Sequence, residues 1–214
     1  MSQTAVRVKV CGLTSVPDAL AAVEAGASFI GLVFFPKSPR NVSVEQAAEI
    51  ATSLPVGVAK VALLVNPTDA QLEDILAKVP VDIIQLHGSE SVERVAEIKA
   101  RYGLPVMKAV GVARAGDLEA IETYARVSDM ILVDAKPAPD AALPGGNGHA
   151  FDWSLVAGRR WPVPWMLAGG LTPETAKRAV SVSGAHILDV SSGVESSPGR
   201  KDAGKIAALV AAVA

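Results

Sequence analysis

The sequence predicts an α/β protein folded as a closed (β/α)8 TIM barrel, and three observations support this. Eight short β-type runs alternate with helical patterns from one end of the chain to the other. Parallel strands need crossover connections, and an intervening helix supplies each one. The chain has 214 residues, of which 50% are hydrophobic, which suits one barrel domain. We therefore expect a single domain over residues 1–214, with a doubly wound open sheet as the alternative.

Each predicted strand is a run of mostly apolar residues, and several helices carry a start signal. Ser15, Ser43 and Thr68 each precede an acid or amide by three residues, and Thr172 precedes a proline, as N-cap residues do. The one long connection, residues 135–150, is of a length that is often functional. In chain order, the predicted strands are residues 6–10, 29–34, 58–65, 82–86, 105–110, 129–133, 164–168 and 186–190.

Composition argues against several classes of protein. The net charge of −2 gives no electrostatic basis for binding nucleic acid or an anionic membrane. The longest apolar run, residues 206–214, is far shorter than the roughly 20 residues of a spanning helix, and the N-terminus lacks a signal peptide pattern. A single cysteine forbids an internal disulfide and suits a reducing compartment. We expect a cytoplasmic protein that is a monomer or a homodimer.

The same inventory predicts no bound cofactor. Three scattered histidines and one cysteine do not make a convincing metal-ligand set. The first strand is not followed by a dinucleotide-binding or Walker glycine pattern, so use of NAD or ATP is not expected.

Alternation in the first strand indicates which side chains face the barrel interior. The valines at positions 6, 8 and 10 share one face, and Arg7, Lys9 and Cys11 share the other. The valines should pack under the helices, which leaves the second face inside the barrel. Because an unpaired buried charge is costly, we expect Lys9 and Lys108 to meet carboxylates such as Asp134 or Asp189 inside the barrel.

Four polar side chains follow predicted strands and should meet at one rim, because all parallel strands end on the same face of a barrel. Cys11 is a candidate nucleophile or base, or else a small buried hydrophobic residue. Asp134 is a candidate catalytic acid or a structural partner of a lysine. His87 is ambiguous, since a strand-end histidine can simply bond to loop carbonyls. Arg40 follows a proline and is either solvated or a receptor for a carboxylate or phosphate.

Two small-residue turns follow the seventh and eighth strands, where barrels often bind a phosphate group. The first contains Gly169 and Gly170, and the second contains Ser191, Ser192 and Gly193. Glycine allows close approach of the backbone, and serine adds hydroxyl donors. A thiol and a carboxyl group across an anion site indicate proton transfer on a sugar phosphate.

Taken together, these motifs resemble the phosphoribosylanthranilate isomerase family of tryptophan biosynthesis. The resemblance covers almost the whole chain in the right order. The matching blocks are residues 9–14, 31–34 with 38–42, 85–88, 133–134, 145–148 with 151–153, 167–171, and 189–195 with 198–202.

The resemblance implies a cofactor-independent Amadori rearrangement of a small phosphorylated substrate, N-(5′-phosphoribosyl)anthranilate. It implies that Asp134 is the general acid that opens the ribose ring and that Cys11 is the general base at C2′. It implies that Arg40 holds the anthranilate carboxylate and that the two small-residue turns hold the phosphate. His87 lies on a family motif without a firm role. One departure is Asn147, where the family pattern implies threonine.

Three other interpretations stay open on the sequence alone. The nearest is a related aminoaldose isomerase of the histidine-pathway type, which would use two carboxylates rather than a thiol. Another is a non-catalytic barrel that senses a phosphorylated metabolite. In the third, Cys11 belongs to the core and the protein is purely structural.

Overall fold

Eight parallel strands close into a barrel in the computed structural model, which describes residues 5–137, 145, 148 and 150–214. Each strand pairs with the next along the chain, and the last pairs with the first. The predicted (β/α)8 fold is therefore confirmed, and the alternative prediction of a doubly wound open sheet is wrong. The strands are β1 (Arg7–Cys11), β2 (Phe29–Phe34), β3 (Ala59–Leu64), β4 (Ile83–Leu86), β5 (Val106–Val112), β6 (Met130–Ala135), β7 (Trp165–Leu167) and β8 (Ile187–Val190).

Seven α-helices are described around the barrel, and the predicted N-caps are confirmed at three of them. The hydroxyls of Ser15, Ser43 and Thr68 each accept a hydrogen bond from the backbone N–H three residues later. None of the helices in the described ranges is long and apolar enough to cross a membrane. The helices are α1 (Val16–Glu24), α2 (Val44–Ser53), α3 (Asp69–Lys78), α4 (Val92–Tyr102), α5 (Leu118–Tyr124), α6 (Pro173–Ser183) and α7 (Ala203–Val213).

The regular alternation is interrupted at two places. Between β6 and β7, the described residues form only a 3₁₀ turn, Trp153–Val156, where the pattern predicted a helix. The short stretch after this turn contains Gly158, Pro162 and Pro164, which disfavour a continued α-helix. After β8, the chain forms a small antiparallel hairpin of β9 (Glu195–Ser197) and β10 (Arg200–Lys201), which the sequence did not predict.

The core has two layers, and the predicted alternation of β1 separates them correctly. Val8 and Val10 are buried in the layer between the strands and the helices. A second apolar cluster, which includes Phe29, Val61 and Met107, fills the barrel interior. Lys9 faces this interior, is fully buried, and pairs with Asp189 at 2.9 Å from Nζ to Oδ1. The predicted partner of Lys9 is therefore confirmed.

The corresponding prediction for Lys108 is wrong. Its neighbours Val106 and Val110 lie in the layer under the helices, whereas Met107 faces the barrel interior. Lys108 therefore points out of the barrel, where its Nζ donates to Glu90 Oε2 at 2.8 Å and to the Gly88 carbonyl at 2.7 Å. A buried lysine needs a carboxylate, and Glu90, which lies in the turn before α4, supplies it.

Candidate active site

A cleft opens at the carboxyl ends of the strands and holds about 860 Å3 of empty space, including open solvent at its mouth. All nine predicted site residues line it. Because these residues follow six different strands, only the closure of the barrel brings them together. They are Cys11, Arg40, His87, Asp134, Gly169, Gly170, Ser191, Ser192 and Gly193.

Cys11 is the last residue of β1 and is a free, buried thiol that lines the cleft. A glycine faces it from β2: a Cβ atom at Gly31 would lie 2.7 Å from the Cys11 sulfur, so a larger residue there would displace the thiol. Burial raises the pKa of the Cys11 thiol, while the ammonium groups of Lys9 and Lys201 act in the opposite direction. Burial therefore opposes formation of the thiolate.

Lys9 and Asp189 form a buried ion pair at the floor of the cleft. Lys9 lies two residues before Cys11 on the same face of β1, and Asp189 is paired with it across the seam that joins β1 to β8. Burial alone would lower the pKa of Lys9, but the charge of Asp189 and the hydrogen bond to it raise this pKa above its ordinary value. Lys9 is therefore a permanent cation close to the thiol.

Asp134 sits near the end of β6, and a nitrogen atom lies close to each of its two carboxyl oxygens. The backbone N–H of Ala135 lies 2.8 Å from Oδ1, and Nε2 of His87 lies 3.3 Å from Oδ2. Nδ1 of His87 is in turn 2.9 Å from Nε2 of Gln85. These contacts fix the plane of the carboxyl group at the wall of the cleft.

Arg40 is buried, and a glutamate already holds one edge of its guanidinium group. Its Nε and Nη2 donate to the two carboxylate oxygens of Glu195 at 2.7 and 2.9 Å. Glu195 also accepts from Lys201 Nζ at 2.8 Å. Burial acts to raise the pKa of Glu195, but the bonds from Arg40 and Lys201 outweigh it and lower this pKa below its usual value. The Nη1 edge is the part of Arg40 that Glu195 leaves open.

The two small-residue turns lie together at one side of the cleft. A Cβ atom at Gly193 would collide with the backbone carbonyl of Leu171, so glycine is required where the turns touch. The Ser191 hydroxyl donates to the Cys11 carbonyl at 3.0 Å, and Lys201 donates to the Ser191 carbonyl at 3.0 Å. The Ser191 hydroxyl thus braces the end of β1, which leaves Ser192 and the glycine backbone facing the cleft.

An apolar wall lies on the same side of the barrel as β2 and β3. Val33, Leu63 and Cys11 form a small buried cluster, and Phe35 and Val65 pack against it. All five residues line the cleft. This wall is suited to a flat, apolar group.

Part of the long connection falls outside the described residues. Asn147 and most of residues 135–150 are among the positions that are not described, so a functional role of this connection and the effect of Asn147 stay predictions. Gly145 is described, and it lies against His87 and Asp134. Within the described positions, no three His, Cys, Asp or Glu side chains are grouped as a metal site would require.

Comparison with known proteins connects this geometry to a family. The model of the family described as N-(5′-phosphoribosyl)anthranilate (PRA) isomerase matches residues 8–212. This chain belongs to the PRA isomerase family. The resemblance inferred from the sequence motifs is therefore confirmed, and with it the prediction that the chain is an isomerase.

Relatives of the chain in the PRA isomerase family match it over nearly their whole length. The N-(5′-phosphoribosyl)anthranilate isomerase of Paracoccus denitrificans is 60% identical over 207 residues, which cover 97% of this chain and 96% of the relative. The crystal structure of phosphoribosyl anthranilate isomerase from Thermotoga maritima is similar, with a TM-score of 0.87, 39% identity and coverage of 97% and 98%. Another PRA isomerase structure, at 38% identity, TM-score 0.84 and the same coverage, is a complex with reduced 1-(o-carboxyphenylamino)-1-deoxyribulose 5-phosphate.

Sequence reasoning did not assign roles to three buried polar residues of this PRA isomerase. Glu195 and Lys201 lie within one of the matching family blocks. Glu195 contacts Arg40, which lies 155 residues away in the chain, and Lys201 contacts Glu195. Gln85 lies within the matching block of residues 85–88, and it was given no role of its own. A polar residue that interrupts an apolar strand can be recognised in the sequence as a candidate for such a role. The sequence does not show which residue it contacts.

Proposed function

We propose that this chain catalyses the Amadori rearrangement of N-(5′-phosphoribosyl)anthranilate to 1-(2-carboxyphenylamino)-1-deoxyribulose 5-phosphate. The observation that carries the proposal is that a buried thiol and a carboxyl group, Cys11 and Asp134, line one cleft together with two glycine- and serine-rich turns. Membership of the PRA isomerase family supports the same substrate. The reaction is an isomerisation that opens the ribose ring and transfers protons without net oxidation, so an acid and a base side chain suffice for it.

Asp134 acts first, as the general acid. Its carboxyl group gives a proton to the furanose ring oxygen, the bond from that oxygen to C1′ breaks, and a protonated Schiff base forms on the anthranilate nitrogen. The Ala135 N–H and the His87 ring contact the two oxygens of the carboxylate that this step leaves behind. These donors are already in place, so the enzyme need not reorganise as the charge develops.

Cys11 acts second, as the general base. Its thiolate takes the proton from C2′, and the electrons of that bond move to the Schiff base to give an enolamine, which tautomerises to the ketone. The thiol must first lose its own proton. Lys9 and Lys201 are the cations that favour the thiolate against the effect of burial.

The remaining residues hold the two ends of the substrate. The turns with Gly169, Gly170, Ser192 and Gly193 receive the phosphate, because backbone N–H groups can approach an anion closely where the chain is small. Arg40 offers its Nη1 edge to the anthranilate carboxylate, and the apolar wall beside it receives the aromatic ring. Ser191 supports the phosphate turn from below and braces Cys11.

The decisive experiment incubates the purified chain with N-(5′-phosphoribosyl)anthranilate and identifies the ketose product. Cys11→Ala and Asp134→Asn should each lower kcat by several orders of magnitude with an unchanged circular dichroism spectrum, because each removes the proton-transferring group. Arg40→Ala should mainly raise KM. Product formation at near-normal rates in the Cys11 variant would exclude the thiol as the base.

Two other outcomes would assign the chain differently. Turnover of a histidine-pathway aminoaldose that survives loss of Cys11 would indicate the related isomerase with two acting carboxylates. Tight binding of a product analogue without turnover would indicate a sensor of a phosphorylated metabolite.

A further inference from the structure

Gln85 is a fully buried polar residue that the proposed mechanism does not use. It faces the barrel interior, since its strand neighbour Ile83 lies in the interior cluster and Ile84 in the outer one. Its Nε2 lies 2.9 Å from Nδ1 of His87. Its Oε1 is buried and has no hydrogen-bond partner within the described part of the chain. Burying an amide oxygen without a hydrogen-bond partner destabilises the folded protein. A role for the hydrogen bond at the other end of the amide would explain why a glutamine occupies this position.

The bond from Gln85 decides where the His87 ring carries its proton. An amide nitrogen only donates, so Nδ1 of His87 must accept. A neutral imidazole that accepts at Nδ1 carries its proton on Nε2. The Nε2 atom lies 3.3 Å from Oδ2 of Asp134, so a proton on Nε2 would lie beside that carboxyl group.

We propose that Gln85 is a positioning residue that holds His87 in the Nε2–H tautomer, so that His87 donates a hydrogen bond to the acid Asp134. The inference rests on the proposed role of Asp134. When Asp134 gives its proton to the ring oxygen, negative charge grows on Oδ1 and Oδ2, and the donors Ala135 N–H and His87 Nε2–H contact one oxygen each. Bonds that strengthen as this charge develops lower the barrier to ring opening.

The opposite arrangement of the amide would have the opposite consequence. If Oε1 of Gln85 faced Nδ1, the neutral ring would carry its proton there, and Nε2 would become an acceptor. His87 would then take a hydrogen bond from protonated Asp134 and would oppose the loss of its proton. The two arrangements therefore differ in one measurable property, the tautomer of His87.

The first test uses the wild-type protein. Long-range 1H–15N spectra of labelled protein distinguish the two neutral tautomers, and the chain has only three histidines, so a His87→Gln spectrum assigns the signals. We expect Nε2–H. A neutral Nδ1–H ring, or a ring doubly protonated wherever the protein is folded, would overturn the proposal. This readout does not depend on turnover, so the proposed function can fail in the activity assay while the tautomer is still decided.

The second test changes the donor. Gln85→Met keeps the length of the side chain and removes the donor, whereas Gln85→Glu replaces the donor with an acceptor. We expect mixed tautomers and a roughly tenfold lower kcat with little change in KM for the methionine variant, the effect of one weakened hydrogen bond to a charged group. The glutamate variant should populate Nδ1–H and lose more activity.

A second glutamine, Gln71, provides the control for the Gln85 variants. Gln71→Met, at a partly exposed position of α3 that does not line the cleft, should leave tautomer and kcat unchanged. If Gln85→Met keeps the Nε2–H tautomer, whether kcat is kept or lost, Gln85 does not act through the ring and the proposal fails. If neither Gln85 variant folds, the wild-type spectrum still decides.

Discussion

Buried charges around the cleft act on one another at the scale of single residues. Lys9, Asp189 and Lys201 all influence the Cys11 thiol, and they do so with opposite signs: the two lysines favour the thiolate, and the aspartate disfavours it. None of them needs to touch the substrate to have this effect. The reactivity of the thiol therefore depends on neighbouring charges. The sequence patterns predicted the positions of Lys9 and Asp189 but not that of Lys201.

Alkylation of Cys11 should report these influences directly, because the chain has a single cysteine. We expect the pH midpoint of iodoacetamide alkylation to lie above that of free cysteine, since burial raises the pKa of this thiol. Lys9→Met should move the midpoint further up, and Asp189→Asn should move it down, because they remove a cation and an anion respectively. Lys60→Met, which breaks an outward-facing pair with Asp82, is the control and should not move it. If the midpoint does not move in the Lys9 variant, the ammonium group of Lys9 does not influence the ionisation of the Cys11 thiol.

Glu195 should matter for substrate binding because it fixes Arg40. A glutamine at this position would keep the size of the side chain but could no longer accept from both Arg40 and Lys201 as a carboxylate does. We therefore expect Glu195→Gln to raise KM by about tenfold, the value of one charged hydrogen bond, with a smaller effect on kcat. The double variant with Arg40→Ala should be no worse than Arg40→Ala alone. Additive losses in this cycle would mean that Glu195 acts independently of Arg40.

At the scale of elements, alternation along a strand predicts orientation only when the register is known. In β1 it was sufficient, and Lys9 faces the interior as predicted. In β5 the polar Lys108 was assigned to the interior because it interrupts an apolar run, yet it lies on the helix side with Glu90. Both faces of a barrel strand are buried, so hydrophobicity does not distinguish them. The partner that decides the matter, Glu90, lies 18 residues away in a turn.

Asp117 joins three elements, and its contribution to stability should depend on pH. It accepts from the backbone N–H groups of Ala113 and Arg114 after β5 and from Lys136 Nζ after β6. The bond from Lys136 is the largest of the influences that lower the pKa of Asp117 to about 2. A depressed folded-state pKa means that the stabilisation is complete above the unfolded pKa of about 3.9 and is lost as the pH falls toward 2.

Asp117→Asn should therefore destabilise the protein at pH 7 and much less at pH 2. We expect a difference of about 1 kcal/mol in the free energy of unfolding at pH 7, typical of a hydrogen-bonded loop carboxylate. Urea unfolding at several pH values measures it. A destabilisation that is equal at pH 7 and pH 2 would show that the charge of Asp117 contributes nothing.

At the scale of the whole molecule, closure of the barrel makes the site. Cys11 and Ser191 are 180 residues apart in the chain, yet the pairing of β1 with β8 brings them together, and the Ser191 hydroxyl donates a hydrogen bond to the Cys11 carbonyl. The alternating strands and helices favoured a closed barrel over an open sheet, and closure brings the nine site residues to one cleft. Glu195 and Lys201 were not predicted as supports, because the β9–β10 hairpin that carries them interrupts the βα pattern. The expected monomer or homodimer stays a prediction.

The last helix completes this closure, and its docking should be costly to weaken. Leu209 of α7 is fully buried in the main core cluster, whereas Leu20 of α1 is 42% exposed. The same substitution at both positions compares a core contact with a surface one. Leu209→Ala should lower the free energy of unfolding by about 2–5 kcal/mol, because it leaves a cavity, and Leu20→Ala by less than about 1 kcal/mol. Urea unfolding measures both values. Equal losses would mean that α7 packs too loosely to help hold the β1–β8 seam, and the free energy that closes the barrel would then have to come from the strands and the other helices.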